Sequence, residues 1–232
     1  MHIKKHIPNT LTLLNLLSGC LAVVSVAEHQ FEMAFFWVCL GIFFDFFDGF
    51  FARLFQVSGP LGLQLDSLAD MVTSGVAPGY VLYSMFEMTQ GCDYMSYAGF
   101  IITLGACFRL ANFNIDTRQT DSFIGLPTPA NALFFMSLPL IPKTLLVIEL
   151  FSNPWFLLVL SLLSAYVMNA ELPLFSLKVK NFSFTKYKLQ IFFLALSVLM
   201  LILLQVSALP LIIVTYVLLS VVDNKFKITH KA

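Results

Sequence analysis

Long apolar runs separated by short polar breaks take up most of this chain, and two successive runs carry four aspartates, Asp45, Asp48, Asp66 and Asp70. A helix needs about 20 residues to cross a hydrocarbon core. With 232 residues, 59% of them hydrophobic and only 11% charged, the chain has room for several crossings, whereas a soluble domain carries roughly 25% charged residues. The expected fold is therefore all-α, a polytopic transmembrane helical bundle in one domain spanning residues 1–232. A carboxylate inside such a helix costs on the order of 2.5 to 3.5 kcal/mol by insertion scales. Four together call for a compensating partner, and a shared metal ion is the simplest.

The apolar runs predict about eight spans, near 9–27, 31–55, 62–86, 95–113, 129–148, 154–169, 188–206 and 208–223. An even number leaves both termini on one side, and every lysine and arginine except Lys143 falls there too. Short basic loops stay cytoplasmic. Both termini are accordingly expected inside, with the aspartates near the cytoplasmic ends of the second and third spans. The basic opening, with Lys4 and Lys5, leads into a run containing Asn15 and Gly19 without a small-x-small cleavage site, which reads as a retained first helix. The basic and aromatic stretch 178–188 reads as a positive-inside loop, with anionic headgroup recognition as the alternative.

Formal net charge is zero, so nothing in the balance argues for nucleic acid. Cys20, Cys39, Cys92 and Cys107 show no CxxC spacing and are expected to be ordinary small buried residues. The Gly and Ala residues Gly75, Ala77, Gly79, Gly99 and Gly105 allow close helix packing, either between two subunits or within one.

Residues three, four and seven apart share one helical face. Asp45, Asp48, Gly49 and Ala52 form such a stripe, and Gly62, Asp66, Asp70 and Thr73 form another after a short loop. Two adjacent antiparallel helices can thus present two carboxylates each to one point, beside small residues that let a bulky ligand approach. Arg53 adds a planar fork suited to phosphate oxygens. Carboxylates are hard ligands that suit Mg2+ or Mn2+. Two such ions could hold a diphosphate while one carboxylate takes a proton from an attacking hydroxyl, which describes phosphoryl-type transfer at a membrane surface.

The pattern D-x2-D-G-x2-A-R-x8-G-x3-D-x3-D, unbroken from Asp45 to Asp70, resembles the signature of the CDP-alcohol phosphatidyltransferase family. The resemblance implies transfer of a phosphatidyl or related group from a CDP-linked lipid such as CDP-diacylglycerol to an alcohol, releasing CMP. It implies metal ligation by Asp45, Asp48, Asp66 and Asp70, with Asp70 also the base. It places Gly49, Ala52, Arg53 and Gly62 at the CDP site, with Asn9 of the Pro-Asn segment as a further candidate contact. N-capping after Pro8 is the other use open to Asn9.

The opening 7–19, together with 108–114 and 125–130, resembles the branch of the family whose acceptor is L-serine. Serine carries a carboxylate, so its site wants a cation beyond those at the diphosphate. Arg109 is the candidate and Arg118 a looser one; anchoring of topology or pairing with Asp116 are alternatives for Arg109. Many relatives carry a second arginine where this chain has Asn112; Asn112 and Asn114 could bind the amino acid or cap the helix end. The resemblance also points to a homodimer; membrane lipids are the expected surroundings, in a bacterial cytoplasmic membrane with the charge pattern setting the site on the cytoplasmic face.

Two rival readings remain. A phosphorylated acceptor such as glycerol 3-phosphate or inositol phosphate would need more basic residues than Arg53, Arg109 and Arg118. A cation transporter would need polar residues along the outer half of the second span, where 35–44 is almost wholly apolar.

Overall fold

A computed structural model describes residues 2–57, 59–89, 93–116, 123–142, 148–175 and 188–226. Cys92, Arg118, Lys143 and the stretch 178–187 lie outside the described residues, and so do the readings attached to them. The described chain is almost entirely helical. α1 (His2–Ala27) and α2 (Phe31–Leu54) form an antiparallel pair closed by a tight turn in which His29 takes a φ of 56°. α3 (Pro60–Asp70), a π turn (Met71–Val76) and α4 (Ala77–Glu87) run on without a break. A 3-10 stretch (Asp93–Phe100) leads into α5 (Ile101–Ile115), followed by α6 (Thr128–Ser137), α7 (Ile148–Phe151), α8 (Pro154–Asn169), α9 (Lys188–Leu204) and α10 (Ala208–Phe226). Two short strands, β1 (Phe123–Ile124) and β2 (Pro173–Leu174), pair antiparallel, a feature not expected of an all-α chain.

Among the described residues, four helical stretches are long and apolar enough to cross a membrane on their own: His6–Ala27, Phe31–Leu54, Tyr94–Ile115 and Lys188–Lys225. The last, at 38 residues, is nearly twice the length a span needs. It is interrupted at Gln205–Ser207, where Gln205 has a φ of 50°. The expected fifth span is shorter than the sequence pattern suggested. α6 gives way at Ser137 to a 3-10 turn over Leu138–Leu140. Pro139 and Pro142 supply no N–H for a continuing helix, so the break falls where the chemistry demands it. The first helix instead begins earlier than expected, with Pro8 inside it.

Large apolar side chains face outward along the helices, among them Phe43, Phe46 and Phe50 of α2 and Leu194, Val198 and Ile202 of α9. An exterior of this kind suits lipid rather than water. Inside, the apolar core gathers α1, α2, α4, α5 and α6 around Ala22, Val26, Val38, Val81, Ile102 and Phe135. α6 packs against α2, α4 and α10. Small residues bring these helices together within one subunit. A Cβ on Gly99 would lie 2.4 Å from the Tyr83 backbone nitrogen, and one on Gly105 would lie 2.9 Å from Ala165 Cβ. Gly79 likewise faces Thr103. Of the two uses open to these glycines, the fold takes the internal one. The cysteine expectation needs correction: Cys20 and Cys107 are free and exposed, and Cys39 is free and half-buried, because their helix faces turn outward.

Candidate active site

The turn between α2 and α3 sets the site. α2 ends at Leu54, and Gln56 and Val57 cap it by donating to the carbonyls of Arg53 and Ala52 at 3.2 and 3.0 Å. Gln56 turns the chain with a φ of 54°, and Pro60 opens α3, where its missing N–H costs nothing. The last turns of α2 and the first turns of α3 therefore face one cavity, and α1 packs against both helices. The phenylalanines of α2 occupy another face. Phe43, Phe47, Phe51 and Phe55 stack at i, i+4 spacing with centroids 4.7, 6.1 and 5.6 Å apart.

Asp45, Asp48 and Asp66 each offer a carboxylate oxygen within 4.8 Å of the others. Like charges this close repel strongly away from water unless a cation lies among them. Asp66 Oδ1 is buried and has no hydrogen-bond partner among the described residues. A buried carboxylate oxygen left open among two more carboxylates is a donor set that fits a hard divalent ion. Asp70, expected as the fourth ligand, stands outside this trio. Its Oδ1 accepts a hydrogen bond from Asn15 Nδ2 at 3.1 Å. Asp48 is held from α1, where Thr12 Oγ1 donates to its Oδ2 at 2.5 Å.

Two cavities meet at the carboxylates. The first, about 220 Å3, is lined by Asn9, Thr12, Asp48, Gly49, Ala52, Arg53, Gly62 and Asp66, with Pro8, Val57, Gly59 and Leu63 completing it. All five residues expected at a CDP site, Asn9, Gly49, Ala52, Arg53 and Gly62, line this one wall. The small residues make room for the polar ones: the Cα of Gly49 faces the Arg53 guanidinium, and that of Gly62 faces Asn9 Oδ1.

The second cavity, about 290 Å3, is lined by Asp45, Asp66, Ser67, Asp70, Arg109, Leu110, Phe113, Asn114, Pro127, Thr128 and Pro129. Arg109 is its only basic residue among the described ones. It is 7% exposed, too buried for a topology anchor, and Nη1 donates to the carbonyl of Met168 at 2.8 Å. That carbonyl belongs to the last turn of α8, where backbone acceptors have no partner within the helix and the dipole is negative. A neighbouring carbonyl, Val167 O, takes the N–H of Leu126 at 3.1 Å, and Gly125 N–H donates to Leu172 O at 2.8 Å. Gly125, with a φ of 75°, lets the loop press against both Arg109 and Met168. Asn112 is exposed and does not line the cavity; Asn114 does, donating from Nδ2 to Ser67 Oγ at 2.8 Å.

Sequence reasoning missed the Met168 carbonyl and Asn114's place ahead of Asn112, and took Thr12 as a candidate cytidine or phosphate contact rather than as a partner of Asp48. A hydroxyl one turn from Asn9 on the same helix was the available signal for Thr12. Above the site, Ala34, Val38, Ala77 and Val81 form fully buried apolar core.

This geometry, with a cavity holding Arg53 on one side of a carboxylate trio and a cavity holding Arg109 on the other, can be compared with known proteins. A model of the CDP-alcohol phosphatidyltransferase family matches residues 5–166. The chain belongs to that family. Among curated members, it is 31% identical over 191 residues to a CDP-diacylglycerol–serine O-phosphatidyltransferase of Helicobacter pylori, covering 82% of this chain and 78% of that protein. It is 37% identical over 128 residues to the enzyme of the same name from Bacillus subtilis, covering 53% of this chain and 70% of that protein. An archaetidylserine synthase of Methanothermobacter thermautotrophicus is 31% identical over 134 residues, covering 56% of each chain. The family match takes in nearly all of α1, α2 to α7 and nearly all of α8, hence every residue of the carboxylate trio and Arg109.

Proposed function

We propose that this family member transfers a phosphatidyl group from CDP-diacylglycerol to L-serine, giving phosphatidylserine and CMP. The observation that carries the acceptor is Arg109, a buried guanidinium that lines the second cavity together with Asp70. Serine relatives at 31% and 37% identity agree with it. A phosphorylated acceptor would bring two negative charges to a cavity with one described cation, which disfavours glycerol 3-phosphate and inositol phosphate.

In this reading Arg53 and Asn9 hold the CDP portion in the first cavity, while Gly49, Ala52 and Gly62 leave the space it fills. Asp45, Asp48 and Asp66 hold the divalent cation, Mg2+ or Mn2+, which when bound offsets the charge of the diphosphate and of the departing CMP. Two ions, the number expected from the four carboxylates facing a diphosphate, would draw on Asp70 as well. Arg109, with Nη1 on the Met168 carbonyl, brings its guanidinium to the wall of the second cavity, where it faces the serine carboxylate. Asp70 accepts the hydroxyl proton as the serine oxygen attacks the phosphorus esterified to diacylglycerol, and the bond from that phosphorus to the CMP oxygen breaks. Asn112, exposed on α5, has a capping role in this scheme rather than an acceptor contact. The reading includes eight spans with both termini and the site on the cytoplasmic side of a bacterial membrane, and a homodimer, both resting on charge pattern and resemblance.

The test is identification of the lipid product. Purified protein in lipid nanodiscs receives CDP-diacylglycerol, Mg2+ or Mn2+, and L-serine, glycerol 3-phosphate or inositol phosphate in turn, with mass spectrometry of the lipids. Phosphatidylserine as the dominant product is expected. A phosphatidylglycerol phosphate or phosphatidylinositol phosphate product would keep the chemistry and remove serine.

A further inference from the structure

Asn15 and Thr73 are both fully buried, one on α1 and the other in the π turn that follows Asp70, and neither lines either cavity. Buried polar groups without a ligand to touch are retained for what they hold in place. Thr73 Oγ1 lies 2.8 Å from Asn15 Oδ1 and 3.1 Å from the Asn15 carbonyl, and donates its single hydrogen to this pair. With Oδ1 occupied as an acceptor, the Asn15 amide has one orientation. Nδ2 then points at Asp70 and donates to Oδ1 at 3.1 Å. The opposite flip would set a carboxamide oxygen against a carboxylate and leave the Thr73 hydroxyl facing an NH2 group.

The packing around the pair leaves no slack. A Cβ on Gly19 would fall 2.5 Å from Thr73 Oγ1, and one on Gly41 would fall 2.7 Å from Thr73 Cγ2 and 2.8 Å from Asn15 Oδ1. A glycine on each of α1 and α2 thus closes both helices onto the same threonine. The π turn Met71–Val76 begins directly after Asp70, and π turns inside α-helices are frequent at functional sites. Thr103 Oγ1 from α5 donates to the Gly75 carbonyl at 2.9 Å, pinning the wide turn from its other side.

We infer that Thr73 and Asn15 are positioning residues that fix the rotamer of Asp70, holding Oδ1 so that Oδ2 is the oxygen that takes the acceptor's proton. The inference rests on Asp70 being the base. Misplacing a catalytic group by an ångström can cost about a hundredfold in rate, and a carboxylate that loses one of its orienting hydrogen bonds is expected to lose about tenfold or more in kcat.

The experiment compares full-length wild type, Thr73→Val, Thr73→Ser and Asp70→Asn in nanodiscs. It measures kcat, KM for serine, KM for CDP-diacylglycerol, and the Mn2+ dissociation constant. Thr73→Val keeps the shape and removes the hydroxyl. Its kcat should fall about tenfold or more, while KM for CDP-diacylglycerol and Mn2+ affinity stay within about twofold. Thr73→Ser, which keeps the hydroxyl, should recover most of the rate. Wild-type kcat in Thr73→Val overturns the proposal. So does a Thr73→Ser enzyme as slow as Thr73→Val, because the methyl group would then be the cause, and so does loss of Mn2+ or CDP-diacylglycerol affinity in step with kcat, because general damage to packing would then be the cause. Should Thr73→Val fail to fold, Thr73→Ala is judged by the same criteria. An active Asp70→Asn enzyme removes the base reading and the relay with it, whereas an inactive Asp70→Asn beside a fully active Thr73→Val removes the relay alone.

Discussion

At Arg109 one side chain connects three parts of the chain: it projects from α5, donates to the end of α8 and borders the loop at Gly125. A lysine there keeps the charge but loses the planar fork that can hold Met168 O and a carboxylate together. Arg109→Lys is expected to raise KM for serine about tenfold or more, the cost of one charge-assisted hydrogen bond, with KM for CDP-diacylglycerol unchanged; steady-state kinetics with each substrate varied in turn will check this. An equal rise in both constants would assign Arg109 to general packing. What could be read from residues follows from helix geometry alone. Asn9 aside, the CDP-side residues sit at fixed spacings on α2 and α3, so one short turn suffices to bring Gly49, Ala52, Arg53 and Gly62 to one wall. Asn112 and Asn114 are two residues apart and so point about 200° apart on a helix. Choosing between them needs the rotation of α5 against its neighbours, which Gly105 sets by its contact with α8 and which no local pattern reveals.

Elements supply what side chains alone do not. The end of α8 offers backbone carbonyls, and a carbonyl has no residue signature, so Met168 and Val167 could not be read as parts of the site even though a helix was expected over 154–169, where α8 lies. Strands β1 and β2 fix the two chain segments around that helix end, and α10 reaches the second of them where Tyr216 OH donates to Phe175 O at 2.9 Å. Gly125 is the joint. An alanine there would carry a Cβ 2.4 Å from Met168 O in a backbone conformation with φ of 75°. Gly125→Ala is expected to destabilise the protein by about 1–3 kcal/mol and to weaken serine more than CDP-diacylglycerol, as measured by thermal unfolding in nanodiscs and by the two KM values. Unchanged stability and kinetics would mean that the loop does not seat Arg109. The π turn was likewise hidden, since Gly62, Asp66, Asp70 and Thr73 fit an ordinary helical stripe equally well; the wide turn comes from α1 and α5 gripping Thr73 and Gly75.

For the whole molecule, apolar run length made the helical character legible, and the breaks came from local chemistry: Pro139 and Pro142 ended α6 early, and the turn at Gln205–Ser207 divided a 38-residue stretch. The proposed orientation sets the α2–α3 turn inside and the α1–α2 turn outside. In a background lacking Cys20, Cys39, Cys92 and Cys107, Val57→Cys should react with a membrane-impermeant thiol reagent only in inside-out vesicles, and His29→Cys only in right-side-out ones. The reverse pattern would invert the topology and put the site on the wrong face for a cytoplasmic nucleotide lipid. The central claim, that a carboxylate-held divalent ion and Asp70 together run serine-dependent transfer, meets its most direct test in CMP release. Wild type and Asp70→Asn are supplied with CDP-diacylglycerol, with and without L-serine, and with Mg2+ or Mn2+ present, chelated and then restored. The account predicts CMP release that needs both serine and the metal, returns when metal is restored, and falls by at least about a hundredfold in Asp70→Asn. CMP release at full rate without serine, after chelation, or by Asp70→Asn would contradict it.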